Sequence, residues 1–279
     1  MQVVDSGPRG GGASWLAGGM LAPFTEAETA PPEVARLGAG AANWWAARVP
    51  GVVRRGTLVL APPRDRAELE RFANRTTGHA RIGPDQIAEL EPDLAGRFAS
   101  ALYYAGEAHL DPRIALQSLA DGLRVRGVAI RYDTQLVPGQ ADIDCRGIAA
   151  RDALPGLRAV RGEMLMLQCP DVTLTRPVHL LHPRFPVYVV PRGNGLSMIG
   201  ATMLESDATG PITLRSASEL MSAAFALHPG FAEAAIVGMG SGLRPAWPDN
   251  VPRLTNVAGR WHLNGLYRHG FMTAPVLAG

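Results

Sequence analysis

Two kinds of strand connection alternate along this 279-residue chain, and together they constrain its fold more than any other feature. Asp111-Pro112 opens the clearest helix, over 113–126, with proline in the first turn, where its missing N–H is not needed. Gly127 stops that helix and a strand over 128–132 follows, giving one α/β crossover unit. Further on, apolar runs over 186–191 and 196–201 are joined by Arg192-Gly193-Asn194-Gly195. Asn-Gly between apolar runs signals an antiparallel hairpin. Crossover pieces at the start, middle and end, with antiparallel strands between them, predict an α/β (α+β) chain in which one domain interrupts another.

The remaining elements follow the same reading. A short buried strand over 1–5 ends in Asp5, and Ala13-Ser14 caps a short helix from Trp15. A single amphipathic helix is expected over 31–49, with Trp44 and Trp45 packing inward. Strands are expected over 57–61, 101–104, 141–147, 160–168 and 261–263, and helices over 64–74, 84–91 and 214–227. With 47% apolar residues the chain buries a substantial core, as one large or two interlocked domains. No apolar run approaches the ~18 residues of a membrane span. No basic start precedes an apolar core, and Cys145 and Cys169 lie far apart, so a reducing cytoplasm is the expected compartment.

All 27 basic residues are arginine. The absence of lysine excludes a pyridoxal-phosphate Schiff base, a Walker-A loop and any lysine general base. A net charge of +2 with scattered arginines argues against a nucleic-acid partner. His179 and His182 lack a neighbouring carboxylate, which disfavours a metal site, and Ser241-Gly242 lacks the Gly-x-Ser-x-Gly elbow of a serine hydrolase. No histidine–acid pair suggests a general base. Hydride transfer to a flavin needs none, because the protein has only to orient the substrate.

The stretch Gly238-Met239-Gly240-Ser241-Gly242-Leu243-Arg244-Pro245 is the candidate centre. Alternate glycines leave the backbone bare for close approach, and Pro245 restricts Arg244 towards extended geometry. A guanidinium held this way suits bidentate grip of a carboxylate, although the same residues also read as a Gly-rich strand end with a surface arginine. Asp5, at a strand end before Gly7-Pro8-Arg9-Gly10-Gly11-Gly12, suits the two hydroxyls of an adenosine ribose, or is a plain strand-terminal turn.

Several segments resemble the D-amino-acid-oxidase-like flavoproteins, and within them the glycine oxidases of thiamin biosynthesis. These are Ala13-Ser14-Trp15-Leu16-Ala17-Gly18-Gly19-Met20-Leu21-Ala22-Pro23, Val160-Arg161-Gly162-Glu163, and Pro186-Val187-Tyr188-Val189-Val190-Pro191-Arg192. Ile199-Gly200-Ala201-Thr202-Met203, Gly242-Leu243-Arg244-Pro245 and Gly265-Leu266-Tyr267-Arg268-His269-Gly270 complete the set, in order along nearly the whole chain.

The resemblance implies an FAD-binding Rossmann-like domain over 1–36, 112–159 and 238–279, interleaved with an antiparallel-sheet substrate domain over 37–111 and 160–237. It implies that Asp5 holds the ribose and that Ser6, Ala13, Ser14, Gly18, Gly19 and Met20 line the cofactor. Leu266, Tyr267, Arg268, His269, Gly270, Phe271 and Met272 would pass beside the flavin ring. Arg244, helped by Tyr188 and Arg268, would hold a substrate carboxylate between apolar walls at Met20 and Met203. Met20, Met203 and Tyr188 also read as core packing. The implied reaction is FAD-dependent oxidation of glycine or another small D- or N-methyl amino acid by molecular oxygen, giving imino acid and hydrogen peroxide, with homo-oligomers among the relatives. An inactive remnant or interaction protein that does not hold FAD, and a sarcosine or other secondary-amine oxidase or dehydrogenase, are the other readings. The family's Gly-x-Gly-x-x-Gly unit and full final helix are not in this sequence, which reads as cut at both ends. The chain alone is therefore expected to hold little flavin, and an N-terminally extended form to be yellow.

Overall fold

The most continuously buried run of the sequence becomes the spine of the molecule. In the computed structural model, which describes residues 1–137, 139–182 and 186–279, the Arg158–Gln168 strand is buried over all but its two end residues. Side chains alternate across a strand, so burial on both faces requires a central position with packing on each side. Leu165 and Leu167 join a core with Leu58, Leu60, Val178, Leu180, Val189 and Ile199, closed by Leu220 and Leu227 of the Leu214–Leu227 helix. Met164 and Met166 face the other way, against Met198, Tyr188 and Leu16.

Leu196–Gly200 and Leu204–Glu205 pair with one edge of this strand and Ala235–Ala246 with the other. The sheet, nine strands among the described residues, continues through Val187–Gly193, Val178–Leu180, Thr57–Leu60 and Ala101–Tyr104 to Ala80–Ile82. The expected hairpin is present, with Asn194 (φ 52°) and Gly195 (φ 72°) in the left-handed region that its turn demands. The expected crossover is present too. Asp111 accepts a hydrogen bond from the Arg113 N–H (2.8 Å) and so caps the Pro112–Val125 helix, which leads into Ala129–Arg131, parallel to Gln2–Val4. Ile143–Asp144 lies parallel to Arg260–Asn264, which also pairs with Arg253–Val257. Among the described residues no helix is long and apolar enough to cross a membrane.

Three local expectations are corrected. Gln2–Val4 is largely exposed rather than buried, because its one described partner strand leaves the other edge free. The helix expected over 31–49 is two, Pro32–Gly38 and Ala41–Ala46, since two glycines in three residues weaken the helix at the join. Trp45 packs inward as expected, and Trp44 packs half-buried against the same core, with the Arg48 guanidinium 4.1 Å from its ring. The helix expected from Trp15 is a single 3-10 turn, Ala13–Leu16, with no side-chain cap.

The glycines of the central stretch lie inside a twelve-residue strand and not at its end. What approaches them is the protein's own Ala13–Leu16 turn: a Cβ on Gly240 would meet Leu16 at 2.7 Å, and one on Gly242 would meet Ala13 at 3.1 Å. The last helix, Gly270–Ala278, contains Pro275, which cannot donate to the Phe271 carbonyl one turn back. The Trp45 indole N–H donates to that carbonyl instead, at 2.6 Å, which joins this helix to Ala41–Ala46.

Candidate active site

One cavity, about 1730 Å³, opens between the parallel strand pairs and the nine-stranded sheet. Asp5, Ser6, Ala13, Ser14, Gly18, Gly19 and Met20 line one wall. Tyr188 and Arg244 line it from the sheet, and Leu266, Tyr267, Arg268, His269, Gly270, Phe271 and Met272 from the last loop and helix. Met203 lies outside that lining and is 47% exposed. It reaches the site through its sulfur, which accepts from Arg268 Nη1 at 3.2 Å and Tyr267 OH at 3.6 Å.

Arg192 sets the first wall in place. Its guanidinium donates to the carbonyls of Leu110, Ala17 and Gly18 at 2.9, 3.1 and 2.9 Å. Burial pulls its pKa down to about 10, against the pull of Asp111 3.9 Å away. The extended segment after the Ala13–Leu16 turn is thereby fixed to the sheet by one side chain.

Arg244 comes from the strand facing that wall. A Cβ on Gly162, its diagonal neighbour on the central strand, would overlap the guanidinium, so the glycine provides the space the arginine occupies. Arg244 Nη1 donates to the Thr202 carbonyl at 3.0 Å, and among the described residues no carboxylate lies within ion-pair distance of it. Burial, and then the like charge of Arg268, pull its pKa below the ordinary value against the pull of Tyr188, Tyr267 and Glu26. A planar cation so placed has donors left for an incoming carboxylate.

Arg268, expected beside Arg244, is already engaged: its Nη2 lies 3.3 Å from Glu26 Oε1. Burial opposes its charge, but Glu26, Tyr188 and Tyr267 more than offset that, and its pKa is raised. For Glu26 burial works towards the neutral acid, yet Arg268, His269, His179 and Arg244 together hold the carboxyl below its usual range. Burial keeps His269 and His179 at about 4, so both rings are neutral at neutral pH.

Glu26 is the functional candidate that sequence reasoning missed. It ends the Pro23–Glu26 turn, within a segment already assigned to the cofactor, but nothing local separates it from Glu28 two positions on. Glu28 turns outward to Arg75 at 2.9 Å, and only the tertiary fold brings Arg268 to Glu26.

The residues present fit FAD. Asp5 accepts from the Gly7 N–H through Oδ1 (2.9 Å) at the carboxyl end of a parallel strand, where a ribose hydroxyl pair is met. At the other end the N-terminus of Gly270–Ala278, which no side chain caps, opens on the cavity and favours negative charge there.

A family model described as FAD dependent oxidoreductase (DAO) matches residues 1–279. The chain is 53% identical over 281 residues to a thiamine biosynthesis oxidoreductase ThiO proposed for Rhizobium etli, covering 98% of this chain and 85% of that protein. It is 27% identical over 319 residues to the glycine oxidase of Pseudomonas aeruginosa, with 98% and 85% covered. The crystal structure of glycine oxidase from Geobacillus kaustophilus superposes with a TM-score of 0.81 at 21% identity, over 99% of this chain and 85% of that one, which establishes the shared fold.

Proposed function

The chain belongs to the FAD-dependent oxidoreductase (DAO) family, and on that premise we propose that it oxidises glycine or another small D- or N-methyl amino acid for the thiazole moiety of thiamin. Oxygen is the final acceptor on this reading and hydrogen peroxide the by-product. The cofactor domain comprises 1–36, 112–159 and 238–279 and the substrate domain 37–111 and 160–237, with the Ala235–Ala246 strand passing between them.

The observation that carries the reading is a half-buried guanidinium with no carboxylate within ion-pair distance among the described residues, opposite the wall that fits the cofactor. Arg244 binds the substrate carboxylate through its remaining N–H donors, and Tyr188, on the same wall of the cavity, adds a phenol donor. Met20 and the Met164, Met166 and Met198 cluster behind Tyr188 keep that end apolar, which strengthens the ion pair. Bound FAD supplies the acceptor for the hydride of the substrate's α-carbon. Orientation by a fixed carboxylate grip is the protein's contribution to that step.

The test is Arg244→Ala in flavin-loaded enzyme. Loss of a charge-assisted grip worth about 3 kcal/mol lowers kcat/KM for glycine roughly 100-fold. Wild-type kinetics would end the proposal.

A further inference from the structure

The inner end of the cavity holds two guanidinium groups and one carboxylate, and the three are not interchangeable. Arg268 faces Glu26, while Arg244 meets only the Thr202 carbonyl among the described residues. Glu107, hydrogen-bonded to the backbone just before Glu26, is pushed towards its neutral acid by burial. His269 and His179 are neutral, and Arg192 has Asp111 beside it and three carbonyls to bind. Two cations less one anion leave a single positive charge facing the substrate.

Glu26 is built into this place. Its backbone follows Phe24 and Thr25, whose N–H groups both donate to Glu107, at 3.0 and 2.7 Å. Its Oε2 is buried without a hydrogen-bond partner, 3.3 Å from His269 Nδ1, so the carboxylate is held against a neutral ring and has an acceptor site unfilled. A carboxylate with one oxygen buried in such surroundings is retained at a cost, and its evident use is to cancel the Arg268 charge.

We propose that Glu26 is the specificity-determining residue of the site: by neutralising Arg268 it leaves one guanidinium free, so that the site takes amines bearing one carboxylate and rejects those bearing two. This rests on the reading that Arg244 receives a carboxylate. A second carboxylate entering beside Glu26 meets a like charge and finds Arg268 occupied, which is discrimination by a repulsive element. Removing the Glu26 charge frees Arg268 as a second receptor.

The test measures Kd for acetate and for malonate, which do not react, by calorimetry on flavin-loaded protein. Wild type is expected to bind acetate at least as well as malonate. Glu26→Gln, which keeps the shape, is expected to tighten malonate by about tenfold or more while changing acetate far less. The double variant Glu26→Gln/Arg268→Gln, again with one free guanidinium, is expected to restore the wild-type ratio. Arg268→Gln alone leaves Glu26 uncancelled and is expected to weaken acetate by about tenfold. That arm decides the matter if Glu26→Gln does not fold. An unchanged acetate-to-malonate ratio in Glu26→Gln, or unchanged acetate affinity in Arg268→Gln, overturns the proposal. Acetate binding that Arg244→Ala leaves intact overturns the reading of Arg244 itself, and with it this inference.

Discussion

Arg176 and Arg244 are both arginines drawn out of solvent, yet they stand in opposite condition. Arg176 gives Nε to Glu91 at 2.7 Å, Nη1 to the Arg55 carbonyl at 2.7 Å and Nη2 to the Leu90 carbonyl at 2.9 Å. Glu91 in turn accepts from the N–H and hydroxyl of Thr175, so every group of that knot is used. Among the described residues Arg244 makes one hydrogen bond and no ion pair. Burial alone therefore does not mark a functional arginine. On the proposed reading saturation does: a satisfied charge holds the fold, and an unsatisfied one is left for a ligand.

Substitution should separate the two by what is lost. Arg176→Ala strands the Glu91 carboxylate in the core and is expected to cost about 3–5 kcal/mol, read as a fall in Tm. Arg244→Ala removes a charge with no ion-pair partner among the described residues, so Tm is expected to hold or rise while kcat/KM drops as above. A comparable loss of stability in both variants would break the contrast. Gly162→Ala sharpens it. The new methyl group overlaps the Arg244 guanidinium and displaces it, and activity is expected to fall about tenfold with the fold intact. Activity equal to wild type would show that the guanidinium does not need that space.

The smallest expected effect concerns Glu107, a third kind of buried acid, with hydrogen bonds from Phe24 and Thr25 but, among the described residues, no ion-pair partner. Burial raises its pKa to about 7 despite those bonds, with the nearby Glu26 charge adding to the rise. The folded state therefore binds the proton more tightly than the unfolded state. The resulting stability is fully present below the unfolded value near 4.5 and is lost as pH rises through about 7, by at most about 1.4 kcal/mol per pH unit. Glu107→Gln is expected to flatten that slope in denaturant titrations between pH 5 and 7. An identical slope in the variant would remove Glu107 as its source.

Much of the fold was legible from short signals: Asn194-Gly195 for the hairpin, Asp111-Pro112 and Gly127 for the crossover helix, and the apolar run that became the central strand. The short strands Val178–Leu180 and Ala80–Ile82 were not, because three residues carry too little period to read. The join between Pro32–Gly38 and Ala41–Ala46 was marked by Gly38 and Gly40, and the use of Gly38 shows only in three dimensions, where a Cβ on it would overlap Met272 of the last helix. Among the cavity's lining residues, Arg244 was singled out because Pro245 and alternate glycines surround it. Glu26 was not, since its meaning comes from Arg268, 242 positions away. The exposed state of Met203 was equally hidden, as a methionine after an apolar strand reads as core.

The hydrogen bond from the Trp45 indole to the Phe271 carbonyl has an optical consequence. That carbonyl lies in the first turn of the helix that opens on the cavity, so a shift of the turn strips a chromophore of its acceptor. Indole emission responds to just such a change in local polarity. The molecule thus carries an intrinsic gauge of how firmly its final helix is seated, readable without any label.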